Sequence, residues 1–197
     1  MSGWWLASYV ALWVLVILLA VLMIAVARQV GTLHLRLGPR GALEVDGEGP
    51  PLGEAPEPVT APDLDGRPVT IGGPGVGQLV LFVSPGCPIC REVLPGVPAA
   101  ARAGRLEPLV VTDADRMEAA ATYARAGVEA PVVASSEAGQ RYAVPGTPYA
   151  VVFDRTGVVQ AKGTVNNLEQ VEGLVDTALR RVEEGAAAIG RNGDGHR

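Results

Sequence analysis

The two cysteines of the chain, Cys87 and Cys90, stand two residues apart in the stretch LFVSPGCPICREVLP, residues 81–95. A pair at this spacing can form a redox centre, contribute half of a metal site or close a small structural disulfide. The residues around the pair, and the elements that must position it, discriminate among these three chemistries.

A metal site is disfavoured by the supply of ligands. A closed zinc site needs four ligands from cysteine, histidine or carboxylate side chains. The chain has only 2 histidines, His34 and His196, which lie near opposite ends of the sequence and away from the cysteines. We therefore expect no metal at the cysteine pair.

A purely structural disulfide stays open as an alternative, although it stabilises little. Closing a loop of about four residues contributes roughly 2 kcal/mol in the chain-entropy model, the low end of the range for disulfides. A structural bridge is more effective when it joins segments that are distant in sequence.

The redox interpretation has a specific mechanism. Cys87 falls between an apolar run that predicts a buried strand and a predicted helix start at Pro88, which suits a first helical turn. The unpaired N–H groups and partial positive charge of a helix N-terminus stabilise a thiolate. Cys87 is therefore predicted to attack a partner disulfide, and Cys90, one turn later, to resolve the mixed disulfide.

The elements around the pair predict an α/β domain with a mixed central sheet and helices on both faces. Residues 41–63 read as a linker running into a loop-like segment, and Pro95 is expected to kink or break the helix that carries Cys90. Thr147-Pro148 opens a later apolar strand, which by itself is also compatible with an ordinary trans strand start. The predicted elements are a hairpin at 64–71, strands at 78–84, 106–113, 131–135 and within 148–163, and helices at 115–127, 137–144 and 168–184.

The apolar segment 4–27 is long enough to cross a bilayer and predicts a transmembrane anchor. A cleaved signal peptide is the alternative, since AVA at 25–27 resembles a cleavage site. However, the run exceeds a normal signal core and no lysine or arginine precedes it. The expected organisation is an anchor at 4–27, a juxtamembrane stalk helix at 28–38, a linker at 39–51, a domain at 52–184 and a flexible tail at 185–197.

The charge pattern gives two further expectations. The net charge of −5, without a basic block outside the stalk, does not support nucleic-acid binding. Arg28, Arg36 and Arg40 follow the apolar segment, and the positive-inside rule then favours a cytoplasmic C-terminal domain.

The motif CPIC, Pro95 and Thr147-Pro148 before a hairpin resemble the thioredoxin fold. The resemblance implies that Pro148 is cis and faces the disulfide, with Thr147, Pro88 and Pro95 supporting the site. Two positions depart from thioredoxin: Leu81 replaces its buried acid, and Gly86 replaces the tryptophan before its first cysteine. The direction of exchange is therefore open. A peroxidase is disfavoured, because Ser84 matches the peroxidase motif but Val80 stands where that motif has proline.

A narrower resemblance covers residues 12–182. RQVGTLHLRLGP, SPGCPICREVLP and KGTVNN are similar to the MauD-type methylamine utilization proteins, a membrane-anchored group within the TlpA-like and peroxiredoxin-like branch. This resemblance implies a disulfide oxidoreductase or isomerase that assists maturation of the exported, disulfide-rich small subunit of methylamine dehydrogenase. It implies a domain outside the cytoplasm, against the arginine count, together with an unidentified redox partner and no cofactor beyond the disulfide.

Two other functions compete with this one. A general extracytoplasmic thiol reductase for cytochrome c assembly would use the same chemistry. A non-enzymatic docking factor would hold the small subunit at the membrane with its disulfide permanently closed.

Overall fold

The computed structural model describes residues 3–36, 47–123 and 126–193. The chain divides into two compact units, with the division between residues 38 and 39. The first unit is a single helix, α1 (Gly3–Arg36), which includes most of the segment predicted as a stalk. Among the described residues, Gly3–Met23 is the one helical segment long and apolar enough to cross a membrane. Outside the described residues lie the end of the predicted stalk helix at residues 37–38, residues 39–46 of the linker, and His196.

The second unit is built on a five-stranded sheet with the order β5-β4-β3-β6-β7. Strands β3, β4 and β5 are mutually parallel, whereas β6 and β7 are antiparallel to their neighbours. The predicted mixed sheet is thus confirmed. Its strands are β3 (Gln78–Val83), β4 (Glu107–Thr112), β5 (Val132–Ala134), β6 (Tyr149–Phe153) and β7 (Val159–Thr164).

The central strand β3 is apolar and buried from Leu79 to Val83 because both faces of the sheet are covered. Leu79, Leu81 and Val83 enter one core cluster, and Val80 and Phe82 enter the cluster on the opposite face. A strand with this pattern fixes the sheet in the middle of the domain and ends at the cysteine loop.

Helices cover both faces, as predicted, but unequally. One face carries α2 and α3, the helix α4 and the long C-terminal α6, while the other carries α5 and a separate two-stranded hairpin. The helices are α2 (Pro88–Val93), α3 (Val97–Ala103), α4 (Arg116–Tyr123), α5 (Ser136–Arg141) and α6 (Leu168–Gly193).

Pro95 interrupts the helix that starts at the cysteines, as the sequence predicts. A 3-10 turn, Leu94–Gly96, contains the proline and separates α2 from α3. Proline lacks the N–H that a continuous helix needs and its ring clashes with the preceding turn.

Two boundaries differ from prediction. Helix α6 extends to Gly193 instead of ending near residue 184. Gly185 costs a helix only about 1 kcal/mol, and the alanines at 186–188 that follow it are the best helix formers.

The hairpin at Asp65-Gly66 is confirmed, but its first strand lies at the end of the stretch 41–63, predicted to run from linker into a loop-like segment without a strand. Strands β1 (Val59–Pro62) and β2 (Pro68–Ile71) pair antiparallel in a ribbon of their own. Prolines at the strand ends hide the strand signal, and they are tolerated here because a two-stranded ribbon has an unpaired outer edge on each strand.

Candidate redox site

Cys87 and Cys90 form a disulfide at the start of α2, with their Cα atoms 5.3 Å apart. Cys87 is the residue that caps the helix, in an extended conformation, and its Sγ accepts a hydrogen bond from the Cys90 N–H at 3.1 Å. The Cys87 N–H donates to the Ser84 carbonyl at 3.1 Å, which closes the loop between β3 and α2. Strand end, loop and helix start therefore place the pair where the sequence predicts it.

The two sulfur-bearing residues differ in accessibility. Cys90 is 2% exposed and belongs to the core cluster beneath α2, whereas Cys87 is only partly buried. Pro88 and Ile89, between them, are exposed, Ile89 by 38%. An incoming thiolate can thus reach Cys87 but not Cys90, which matches the predicted division into attacking and resolving cysteines.

The strand β6 is preceded by the Thr147-Pro148 peptide bond, which is cis, as the resemblance to thioredoxin implies. Pro148 is buried, Thr147 is exposed, and the Thr147 carbonyl oxygen lies 3.9 Å from Cys87 Sγ. The Pro148 carbonyl accepts the Val165 N–H at 3.2 Å, which ties this loop to the residue after β7. The exposed backbone of Thr147 therefore flanks the accessible sulfur.

The predicted site residues do not all converge. Pro88 directly follows Cys87, and Thr147-Pro148 faces it from across the sheet end. Pro95 lies exposed beyond the far end of α2 and shapes the helix. His34 lies in α1, in the other unit of the chain.

Leu81 occupies the position of the missing acid and is fully buried in the same cluster as Cys90. Among the buried described members of that cluster, Tyr123 is the one ionisable side chain besides the cysteine. Burial raises the pKa of the Tyr123 phenol, and its hydroxyl lies 3.4 Å from Thr112 Oγ1. The buried described members of the cluster include no carboxylate, and a phenol with a raised pKa stays protonated at neutral pH. These residues therefore offer Cys90 no ionised base.

One feature near the site was missed from the sequence. Lys162 on β7 is only 4% exposed, and its Nζ donates to the Glu48 carbonyl at 2.6 Å. Tyr149, the first residue of β6, donates to the same oxygen at 3.2 Å. The signal available was a lysine inside a predicted strand of apolar and small residues. The signal carries no information on what the lysine contacts, because its partner lies far away in sequence.

The arrangement is chemically competent for disulfide exchange. Cys87 Sγ is accessible to attack, and once the pair is reduced the helix dipole and the Cys90 N–H can stabilise a thiolate on Cys87.

Sequence relatives were found over nearly the whole chain, although no family model matches it. The chain is 39% identical over 182 residues to "Methylamine utilization protein MauD" of Methylobacillus flagellatus, covering 89% of this chain and 87% of the relative. It is 34% identical over 180 residues to the protein of the same name from Paracoccus denitrificans, covering 89% and 90%.

Several of the solved structures with similar folds are named as thiol-disulfide proteins. One is a candidate protein disulfide isomerase from Bacteroides thetaiotaomicron, with a TM-score of 0.60 at 20% identity, covering 72% of this chain and 98% of that one. Another is a secreted Mycobacterium tuberculosis disulfide oxidoreductase homologous to E. coli DsbE, with a TM-score of 0.50 at 22% identity, covering 60% and 94%. These likenesses confirm the predicted thioredoxin-like fold.

Proposed function

This chain belongs to the MauD family of methylamine utilization proteins, and from that premise we propose that it is a membrane-anchored thiol-disulfide oxidoreductase or isomerase. Its substrate would be the methylamine dehydrogenase small subunit, whose disulfides it would help to form or rearrange. The observation that carries the proposal is the paired geometry of a reachable Cys87 and a buried Cys90 at a helix N-terminus.

The exchange proceeds in two balanced steps. In the reducing direction, the Cys87 thiolate attacks a sulfur of the partner's disulfide, and the partner's second sulfur leaves as a thiolate. Cys90 then attacks Cys87 Sγ, which releases the partner dithiol and leaves the Cys87–Cys90 disulfide, so two electrons pass to the partner. The oxidising direction is the reverse, and in isomerisation a thiolate of the partner displaces Cys87 from the mixed disulfide, so that Cys87 ends as a thiolate and no electrons are transferred overall.

The buried Leu81 affects the second step, in which Cys90 attacks the mixed disulfide on Cys87. Without an adjacent carboxylate, the Cys90 proton must leave to water or to a group on the partner. Resolution by Cys90 is then slow relative to attack by Cys87, which lengthens the life of the mixed disulfide. A long-lived mixed disulfide favours isomerisation, because it gives the partner time to rearrange its own cysteines.

The proposed location is the membrane, with the domain outside the cytoplasm. The support is the apolar segment Gly3–Met23 together with the need for an oxidising compartment in which protein disulfides persist. The arginines after the segment argue for the opposite orientation. A reporter enzyme fused after Arg197 discriminates: activity only in a periplasmic-type reporter is expected, and activity only in a cytoplasmic reporter would reverse the topology.

Two experiments test the function itself. A strain with the Cys87→Ser, Cys90→Ser double variant should lose active methylamine dehydrogenase, and unchanged dehydrogenase activity would exclude redox chemistry as the role. A Cys90→Ser single variant should accumulate a mixed disulfide on Cys87, and mass spectrometry of the trapped species should identify the small subunit. Trapping of apocytochrome c in its place would favour the general reductase.

A further inference from the structure

A groove of about 580 Å³ opens beside the cysteine pair, at the carboxyl ends of β3 and β4. We call it the α5 groove, because residues of α5 form one of its walls. Its size falls within the range of about 300–1,000 Å³ that is typical of ligand clefts.

The α5 groove begins at the reactive sulfur. Thr147 and Ser84 both line it, and both contact Cys87 through their carbonyl groups. The Thr147 oxygen is 3.9 Å from Cys87 Sγ, and the Ser84 oxygen accepts the Cys87 N–H at 3.1 Å. A chain bonded through its own cysteine to Cys87 would therefore have the mouth of this groove next to it.

The lining combines an apolar floor with polar side chains that are free to bind. Phe82 and Val111 form the floor and are themselves buried. In the part of the chain that the structure describes, the remaining polar side chains have no hydrogen-bond or ion-pair partner, in contrast to Thr112 and Ser135, whose hydroxyls accept backbone N–H groups. These free side chains are Ser84, Asp113, Ser136, Gln140 and Thr147.

The charge of the groove selects among possible occupants. Asp113 is the one charged residue among the described residues that line it, and it is exposed. An exposed carboxylate beside a groove of hydroxyl and amide groups favours a cationic side chain over an anionic one.

On the basis of the proposed disulfide exchange, we propose that the α5 groove binds the polypeptide segment that flanks the substrate's reactive cysteine. A lysine or arginine of that segment pairs with Asp113, and the neighbouring backbone of the segment bonds to Ser84 and Gln140. The groove thereby selects which cysteine of a multi-cysteine substrate reaches Cys87.

The test measures a single exchange step on the full chain in detergent, in the Cys90→Ser variant. The probes are synthetic peptides with one cysteine held as a mixed disulfide with thionitrobenzoate, and with lysine or glutamate at matched positions beside that cysteine. The Cys87 thiolate attacks the peptide sulfur, the bond to thionitrobenzoate breaks, and the coloured thiolate leaves. Ellman's reagent, which has no peptide, measures the intrinsic reactivity of Cys87.

The first variant, Asp113→Asn, removes the negative charge of the groove. Lysine peptides should react about two- to fivefold faster than glutamate peptides, as expected for one exposed ion pair, and Asp113→Asn should abolish the difference. Glu107→Gln is the matched control, since Glu107 is an exposed carboxylate at the opposite end of the same strand. The Glu107 variant should keep the preference.

The second variant, Gly139→Phe, fills part of the α5 groove with a side chain. A Cβ on Gly139 meets open space within the groove, so Gly139→Phe adds bulk there without backbone strain. It should slow every peptide by at least about tenfold through steric exclusion and leave the reaction with Ellman's reagent unchanged. Gly185→Phe, at a helical glycine of α6 with equally open surroundings, should change neither rate.

The outcomes separate this inference from the function it rests on. Equal rates for lysine and glutamate peptides, or peptide rates untouched by Gly139→Phe, would overturn the groove assignment while Cys87 still reacts with Ellman's reagent. An unreactive Cys87 in the Cys90→Ser chain would instead overturn the thiol chemistry itself.

Discussion

Lys162 and Tyr149 donate hydrogen bonds to one carbonyl oxygen, that of Glu48. The two donors lie on adjacent strands, and the acceptor lies in the segment that precedes the hairpin. Gly49 allows this close approach, since a Cβ there would lie 2.8 Å from a ring carbon of Tyr149. The backbone at Glu48, within the second unit, is thus fastened to the strand that begins immediately after Pro148.

This shared acceptor predicts non-additive stability. Lys162→Met or Tyr149→Phe alone leaves the Glu48 carbonyl with one donor and should cost at most about 1.5 kcal/mol. The double variant leaves the Glu48 carbonyl with neither donor, and because Glu48 is an exposed residue where water can take over part of this role, it should cost at most about 1 kcal/mol more than the sum of the two. Denaturant unfolding of the four proteins measures the coupling.

The control pair for that cycle is Lys162→Met with Tyr142→Phe. The Tyr142 hydroxyl donates to other carbonyls, those of Ile71 at 2.7 Å and Glu57 at 3.4 Å. Its coupling with Lys162 should be near zero. A coupling of equal size in both cycles would mean that the effect is a general loosening of this face.

Unequal burial of the cysteines predicts unequal labelling. In the reduced protein, iodoacetamide should modify Cys87 at least about tenfold faster than Cys90, because reaction requires an accessible thiolate. Peptide mass spectrometry at short labelling times reads both sites in one sample. Comparable labelling of Cys90 in the folded protein would contradict the assignment of Cys87 as the attacking residue.

The local features of this site can be predicted from the sequence. The position of the pair between β3 and α2, the break at Pro95 and the cis bond before Pro148 all follow from patterns within a few residues or from the family resemblance. The groove and the Glu48 junction do not, since they join Asp113 to Gly139 and Glu48 to Lys162 across the fold. Such contacts depend on tertiary packing, and the local hydrophobic periodicity of the sequence predicts secondary structure but not these contacts.

The extended helix α6 illustrates the same limit on a boundary. The small and polar residues after Gly185 predict a flexible tail, but three of them are alanines, the strongest helix formers, and the helix continues through them. The high helix propensity of these alanines therefore extends α6 beyond residue 184, where the sequence analysis ends the helix.

Leu81→Asp should restore a titratable group beside Cys90 and reveal what its absence costs. Either Leu81→Asp or its uncharged counterpart Leu81→Asn should destabilise the domain by about 2–5 kcal/mol, through lost packing and a buried polar group. Burial raises the pKa of a carboxyl, so the aspartate variant should also lose stability relative to the asparagine variant as pH rises above about 4.

The functional readout of the same pair is the resolving step. In the aspartate variant, release of a peptide from Cys87 by Cys90 should speed up as pH rises through the raised pKa of the carboxyl, since only the ionised carboxylate accepts the proton, and the asparagine variant should lack this step. Identical pH profiles for the aspartate and asparagine variants would show that the acid position does not act on Cys90 in this chain. Leu81→Met, which keeps the volume, serves as the folding control.

Tyr142 gives an alkaline prediction with a defined sign. Burial raises the pKa of its phenol to about 12, from an ordinary value of 10.0, and the ring packs against Phe82 and Phe153 on the face that carries the hairpin. A raised pKa means that the folded state favours the protonated phenol. Its contribution to stability is therefore fully present below pH 10 and is lost as pH rises from there through about 12.

Tyr142→Phe should thus cost roughly 1–2 kcal/mol at neutral pH, because it leaves the Ile71 carbonyl without its side-chain donor. The difference between wild type and variant should then shrink above pH 10, where only the wild type must keep a buried phenol protonated. Denaturant unfolding at several pH values from neutral to strongly alkaline measures it. Tyr123 titrates in both proteins and cancels in the comparison. A difference that stays constant across this range would mean that the Tyr142 hydroxyl is solvated in the folded protein and does not fasten the hairpin to the sheet.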